Sequence, residues 1–188
     1  KNIFLVIFPE FKYIDRIESF DYLLKTNITT QTPEGIFSLL LIDEKDNFEY
    51  FCHKYKISNK LKKNLSFIAN NYLKFKREKN YFKKDFKKNI YKLGKENITK
   101  LITFVYCAEE KFTVNVLKKT IVDLNKIRVP VFPFSGKYII DQGIENGKKI
   151  GHALKELEKK WIENNFNLTR DEALSVIDRI KKLDILNI

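Results

Sequence analysis

PVFPFSGKYIIDQGIENGKKIGHALKELEKKW, residues 130–161, holds four of the chain's six glycines: Gly136, Gly143, Gly147 and Gly151. Their spacing predicts a short helix, a tight hairpin and a longer helix. Gly143-Ile144-Glu145-Asn146-Gly147 is the hairpin, because glycine takes backbone angles that other residues resist. Ile150, Leu154, Leu157 and Trp161 then recur at helical spacing, so Trp161 reads as a packing residue on an apolar stripe. Gly151 inside that helix suggests close approach of another backbone, and His152 beside it reads as a partly buried spacer, with contact to a phosphate as the alternative. Lys148 and Lys149 stand at the helix start. Free N–H groups and the positive end of the helix dipole attract phosphate there, so the hairpin is a candidate phosphate clamp.

Working toward the N-terminus, Pro130 and Pro133 disfavour helix in the residues before them and mark an extended linker. The linker divides a helical region, 1–129, from a smaller one, 130–188. Residues 1–27 read as helix broken at Pro9, with Ile14, Ile17, Tyr22 and Leu23 on one side. Thr32-Pro33 is a helix start, with Thr as cap and Pro in the first turn. Asp46 with Glu49 opens a short helix carrying Phe48, Phe51 and Tyr55. Ser58 caps a longer one with Leu61, Leu65, Ile68, Ala69, Tyr72 and Leu73 on one stripe. Phe82, Phe86, Ile90 and Leu93 mark the next, stopped by Gly94. Ile98, Leu101, Ile102 and Val105 mark another, and Val114, Leu117, Ile121 and Leu124 one more. Thr169 with Glu172 is a capping box ahead of a last helix lined by Leu174, Ile177 and Ile180, and 183–188 read as a fraying end. The expected fold is therefore all-α: an elongated array or bundle of amphipathic helices with a C-terminal helix–glycine hairpin–helix subdomain.

At 44% hydrophobic and 14% aromatic, the 188 residues can bury a sizeable core, while six Gly and four Pro argue against a turn-rich β fold. Cys52 and Cys107 belong to no C-x-x-C pair, and His53 and His152 complete no zinc set. Free thiols fit a reducing cytosol, and a cytoplasmic setting is expected. No run approaches the ~20 apolar residues of a membrane span, and the apolar run Ile3–Phe8 has no signal-peptide pattern. The chain begins apolar and without Met. It reads as a piece of a longer protein cut close to a buried helix.

The formal net charge is +12, which makes polyanions natural partners. Sixteen Lys or Arg and three acids (Glu78, Asp85, Glu96) fall between Lys54 and Lys100, a net of +13 that leaves −1 for the rest. Lys83, Lys84, Lys87, Lys88 and Lys92 are expected to share one face of the helix through 82–93, with Tyr81 and Tyr91 at its margins. Like charges one turn apart repel, and a phosphate backbone would offset that repulsion. The competing reading is a solvated lysine surface in a chain whose composition favours Lys, Asn, Ile and Phe.

The pattern running from Pro130 to Glu158, with G-K-x-I-I-x-x-G-I-x-x-G-x-x-I-G-x-x-L-x-x-L-E from Gly136, resembles the C-terminal tail of class II tRNA nucleotidyltransferases. These are the bacterial CCA-adding enzymes and the related poly(A) polymerases. Lys54-Tyr55-Lys56-Ile57-Ser58-Asn59-Lys60 resembles the start of a body helix in that family, and Phe8-Pro9-Glu10-Phe11 the segment entering the body. Tyr138 departs from the pattern, which usually has an acid after the Gly-Lys pair.

The resemblance implies a body over 1–129, with 1–30 continuing from a neck, and a tail over 130–188. The family's head and neck signatures do not occur here. There is no Gly-Ser loop followed by Arg-Asp, no Asp-x-Asp pair and no Glu-Asp-x-x-Arg motif, and Asp15-Arg16 has the wrong surroundings. The parent enzyme would perform two-metal nucleotidyl transfer, with Mg2+, CTP and ATP held by head and neck. This chain, inactive alone, would hold the acceptor and TΨC stem of tRNA, or another RNA 3′ end, by shape and phosphate contacts. No DNA or membrane partner is expected. The implied RNA-binding residues are Lys137, Gly143, Asn146, Gly147, Lys148 and Lys149 in the tail, then Lys83, Lys84, Lys87 and Lys88 in the body. The alternative is a non-enzymatic all-helical scaffold for RNA or protein.

Overall fold

The computed structural model describes residues 2–78, 80–145 and 147–185. They form eleven helices and no strand. The all-α expectation is met. The chain divides into two compact units, Lys1–Arg128 and Val129–Ile188.

The first unit is built around α7 (Lys95–Ala108), which packs against α2 (Arg16–Lys25), α3 (Pro33–Leu41), α5 (Asn59–Arg77), α6 (Phe86–Leu93) and α8 (Val114–Lys126). The sequence suggests one apolar stripe on α7. Instead, residues 101–105 are buried in succession, because neighbours cover the helix all round. Leu101, Ile102 and Val105 are fully buried, and Phe104 faces Tyr72 edge-on at 5.0 Å. Arg16 closes one end of α3: its Nη1 donates to the carbonyls of Leu39 at 3.2 Å and Ile42 at 2.7 Å. Those are among the orphan acceptors that a helix end leaves unpaired.

Two start signals behave as the sequence suggests: Thr32 Oγ1 accepts from Gly35 N at 3.1 Å and Ser58 Oγ from Leu61 N at 3.3 Å. A third cap is seen only in the structure, where Thr113 Oγ1 accepts from Val116 N at 3.5 Å ahead of α8. Asp46 does not act as a cap: its side chain makes no cap bond to α4 (Asn47–Lys54). Asp43, three residues earlier, accepts from Lys45 N and Asn47 N instead. The two segments that carry the family resemblance in this unit meet. Lys54 Nζ lies 2.8 Å from Glu10 Oε1, and the rings of Phe8 and Tyr55 are 5.7 Å apart. Burial pushes the Glu10 carboxyl up, but hydrogen bonds from Lys54 and Tyr55 outweigh that and hold it below the usual range. The N-terminal helix, α1 (Asn2–Ile7), corrects another expectation: Ile3, Val6 and Ile7 are exposed rather than buried.

The helix expected over 82–93 is shorter. Asp85 has a left-handed φ of +54°, so α6 starts only at Phe86. Residues 80–85 form turns, in which Lys83 N and Lys84 N both donate to Asn80 O, and Tyr81 and Phe82 drop into the core. Tyr81 is thus no margin residue; its hydroxyl donates to Asn71 Oδ1 at 3.2 Å.

The second unit consists of α9 (Gly136–Asp141), α10 (Gly147–Glu163) and α11 (Arg170–Ile185). Ile139, Ala153, Leu157, Ala173 and Ile177 are fully buried between them. Trp161 is core, as its stripe predicts: its ring lies 5.4 Å from Phe132 and 4.9 Å from Phe166. The Pro-rich segment is therefore more than linker, since Phe132 and Phe134 pack onto this unit's core. The capping box is real: Glu172 Oε2 accepts from Thr169 N at 2.9 Å, and Glu172 N donates to Thr169 Oγ1 at 3.3 Å. The end expected to fray from 183 is helical to Ile185, and 186–188 lie outside the described residues.

Candidate nucleic-acid interface

The hairpin between α9 and α10 follows from local chemistry. Ser135 caps α9 by accepting from Tyr138 N at 3.3 Å. At the other end Gly143 takes φ +87°, its N–H donates to Ile140 O at 2.8 Å, and Ile144 N donates to Ile139 O at 3.3 Å. This pair of bonds is the Schellman ending, in which a left-handed residue reverses the chain. An apolar residue just beyond it then meets the last helical turn. Ile144 and Ile139 make that apolar contact within the core. Gly143 is thus fixed by backbone geometry. Gly143→Ala should destabilise this unit by about 1 kcal/mol, because the left-handed region penalises a Cβ. A urea titration followed at an α10 amide checks the value.

Lys137, Gly143, Gly147 and Lys148 are exposed and Lys149 is half-buried. Asn146 lies outside the described residues. Lys148 and Lys149 are the second and third residues of α10, whose first turn carries no acid. Positive charge there opposes the helix dipole, which favours anions at the N-terminus.

Two readings around α10 are corrected. A Cβ added at Gly151 would meet no described atom within 4 Å, so no backbone presses on it. His152 is exposed, not a partly buried spacer. One cation escaped the sequence reading. Lys181 Nζ, from α11, lies 3.8 Å from where a Gly143 Cβ would stand, and Lys181 also pairs with Asp178 at 3.9 Å. Its only sequence signal is a basic residue near the end of an amphipathic helix, and nothing local ties it to the hairpin.

In the first unit the basic stretch is partly neutralised from outside itself. Lys54 pairs with Glu10, and Lys76 with Glu44 at 3.3 Å and Glu109 at 3.1 Å. Lys88 pairs with Asp85 at 3.2 Å and Lys100 with Glu96 at 2.6 Å. The shared five-lysine face does not form: Lys83 and Lys84 precede α6, while Lys87, Lys88 and Lys92 are on it. Lys56, Lys60, Lys62, Lys63, Lys74, Arg77, Lys83, Lys84 and Lys92 remain exposed with no acid partner among the described residues. The field is smaller and more scattered than the charge count suggests.

Among the described residues no group of His, Cys, Asp and Glu is placed to hold a metal ion. No helix there is long and apolar enough to cross a membrane. No protein-family model matches the chain, and no solved structure does. Three curated proteins do, all described as CCA tRNA nucleotidyltransferase 1, mitochondrial. The mouse protein is 37% identical over 57 residues, 30% of this chain and 13% of that protein. The human protein is 35% identical over 57 residues, with the same shares. The zebrafish protein is 33% identical over 61 residues, 32% of this chain and 14% of that protein. The matches thus span about one seventh of the relatives' own length. A bacterial subtype, polyadenylation and a cytoplasmic setting draw no support from these three mitochondrial proteins. The chain contains a region related to CCA-adding tRNA nucleotidyltransferases.

Proposed function

We propose that this chain is an RNA-holding part of a CCA-adding tRNA nucleotidyltransferase, gripping a tRNA stem while nucleotides are added elsewhere in the enzyme. The relation to the mouse, human and zebrafish enzymes carries this reading. Lys148 and Lys149, set against the dipole of α10, support it with a local reason to meet phosphate. The first unit would act as body and the second as tail. The tail grip would be Lys137, the Gly143–Gly147 turn with Asn146, Lys148 and Lys149, joined by Lys181. Lys83, Lys84, Lys87 and Lys88 would add contacts from the body.

The chemistry belongs to other parts of such an enzyme, where Mg2+ would activate the RNA 3′-hydroxyl and neutralise the leaving pyrophosphate from CTP or ATP. The role of this chain is positional. A-form RNA hides its major groove, so a holder reads width, 2′-hydroxyls and phosphates rather than bases. A tRNA acceptor–TΨC minihelix and a DNA duplex of equal length and charge separate shape reading from bare charge. The minihelix should bind at least tenfold tighter in a fluorescence-anisotropy titration. Equal affinities would favour the alternative, an interaction scaffold with solvated lysines.

A further inference from the structure

The first unit contains a cleft of about 730 Å³ between the 27–32 loop, α3, α5 and α7, in the size range of small-ligand sites. Half-buried Phe67 lines it as aromatic surface, with the edges of Phe20 and Phe104, each 3% exposed, behind it. Lys60 and Glu34 line it too, and neither has an ion-pair partner among the described residues. Thr103, on the α7 wall, is only 6% exposed, and its hydroxyl has no hydrogen-bond partner. That is unusual within this chain. Ser38, Thr99 and Thr120 each return their hydroxyl to the carbonyl four residues back, at 2.7, 2.9 and 2.7 Å. A buried hydroxyl left unbonded is disfavoured, and helical Thr has two accessible χ1 wells. A small rotation would give Thr103 to a polar atom entering the cleft.

We propose that this cleft binds one nucleoside monophosphate unit, its base against Phe67 and its phosphate at Lys60. Aromatic surface suits a planar base. Glu34 can accept from an exocyclic amine, as carboxylates do from cytosine N4. Lys60 supplies the point charge for phosphate. The unit is either a free nucleotide or an unstacked nucleotide of a bound RNA. The RNA source rests on the function proposed above, whereas the site itself does not.

The test uses the full chain and the four ribonucleoside 5′-monophosphates, with binding read by equilibrium dialysis. At least one should bind saturably, and its nucleoside should bind about tenfold more weakly. Lys60→Gln should erase that difference. Thr103→Val replaces the hydroxyl with a methyl of similar size, so it should weaken binding about fivefold, the worth of one hydrogen bond, while the melting temperature holds or rises. No saturable binding at millimolar nucleotide, or binding untouched by both substitutions, overturns the proposal. Displacement of the nucleotide by tRNA would identify RNA as the source, and simultaneous binding would identify the free nucleotide. If the chain binds tRNA but no nucleotide, only this inference falls. If it binds the nucleotide but not tRNA, only the RNA-holding role falls.

Discussion

Reversing both lysines at the head of α10, Lys148→Glu with Lys149→Glu, is expected to weaken tRNA binding by about 10- to 100-fold near 0.1 M salt. The variant turns two positive charges into two negative ones where phosphate is proposed to sit. It should also make the slope of log affinity against log salt shallower, by about 0.7–0.9 for each phosphate that is no longer neutralised. Acids in the first turn complement the helix dipole, by about 0.3–1 kcal/mol each, which favours α10 in the variant. Circular dichroism checks that the helix persists while binding falls. Unchanged tRNA affinity in a folded variant would remove the hairpin from the interface.

Trp161→Ala should be the most damaging single change in the second unit, costing about 3–5 kcal/mol. Trp161 is 4% exposed and touches Phe132 from the Pro-rich segment and Phe166 beyond the end of α10. Its removal leaves a cavity and frees both flanking segments. A unit as small as Val129–Ile188 has a thin reserve of stability, so it should unfold largely or completely at 37 °C. Amide hydrogen exchange resolves the two units. Protection should collapse across α9, α10 and α11, and persist in α7. Retained protection in α10 would mean that its stripe holds without the indole.

Much of this was legible in the residues themselves. Caps at Thr32, Ser58 and Thr169 and stripes at Leu61–Tyr72 and Ile150–Trp161 rest on local chemistry, which a sequence displays directly. The Gly143 reversal was legible for the same reason. Asp85 was not: it reads as a helical position between Phe82 and Phe86, yet tertiary packing of Tyr81 and Phe82 turns the chain there. The complete burial of α7 was hidden because it depends on what surrounds the helix. Charge proved the least local property. Glu10, Glu44 and Glu109 come from well outside the basic stretch to meet Lys54 and Lys76, and Lys181 reaches the hairpin from α11. No count along the chain anticipates such pairs.

The holding role is tested most directly by the dependence of tRNA affinity on salt. Dissociation constants for the full chain and a tRNA, measured from about 50 to 300 mM KCl, should fall on a straight log–log line. If tail and body grip together, the slope of log affinity should reach about −3 or steeper, the release expected when four or more phosphates are neutralised. At fixed salt, heparin of equal charge should compete poorly, because it lacks the A-form shape. A flat line, or affinity for heparin equal to that for tRNA, would contradict the account.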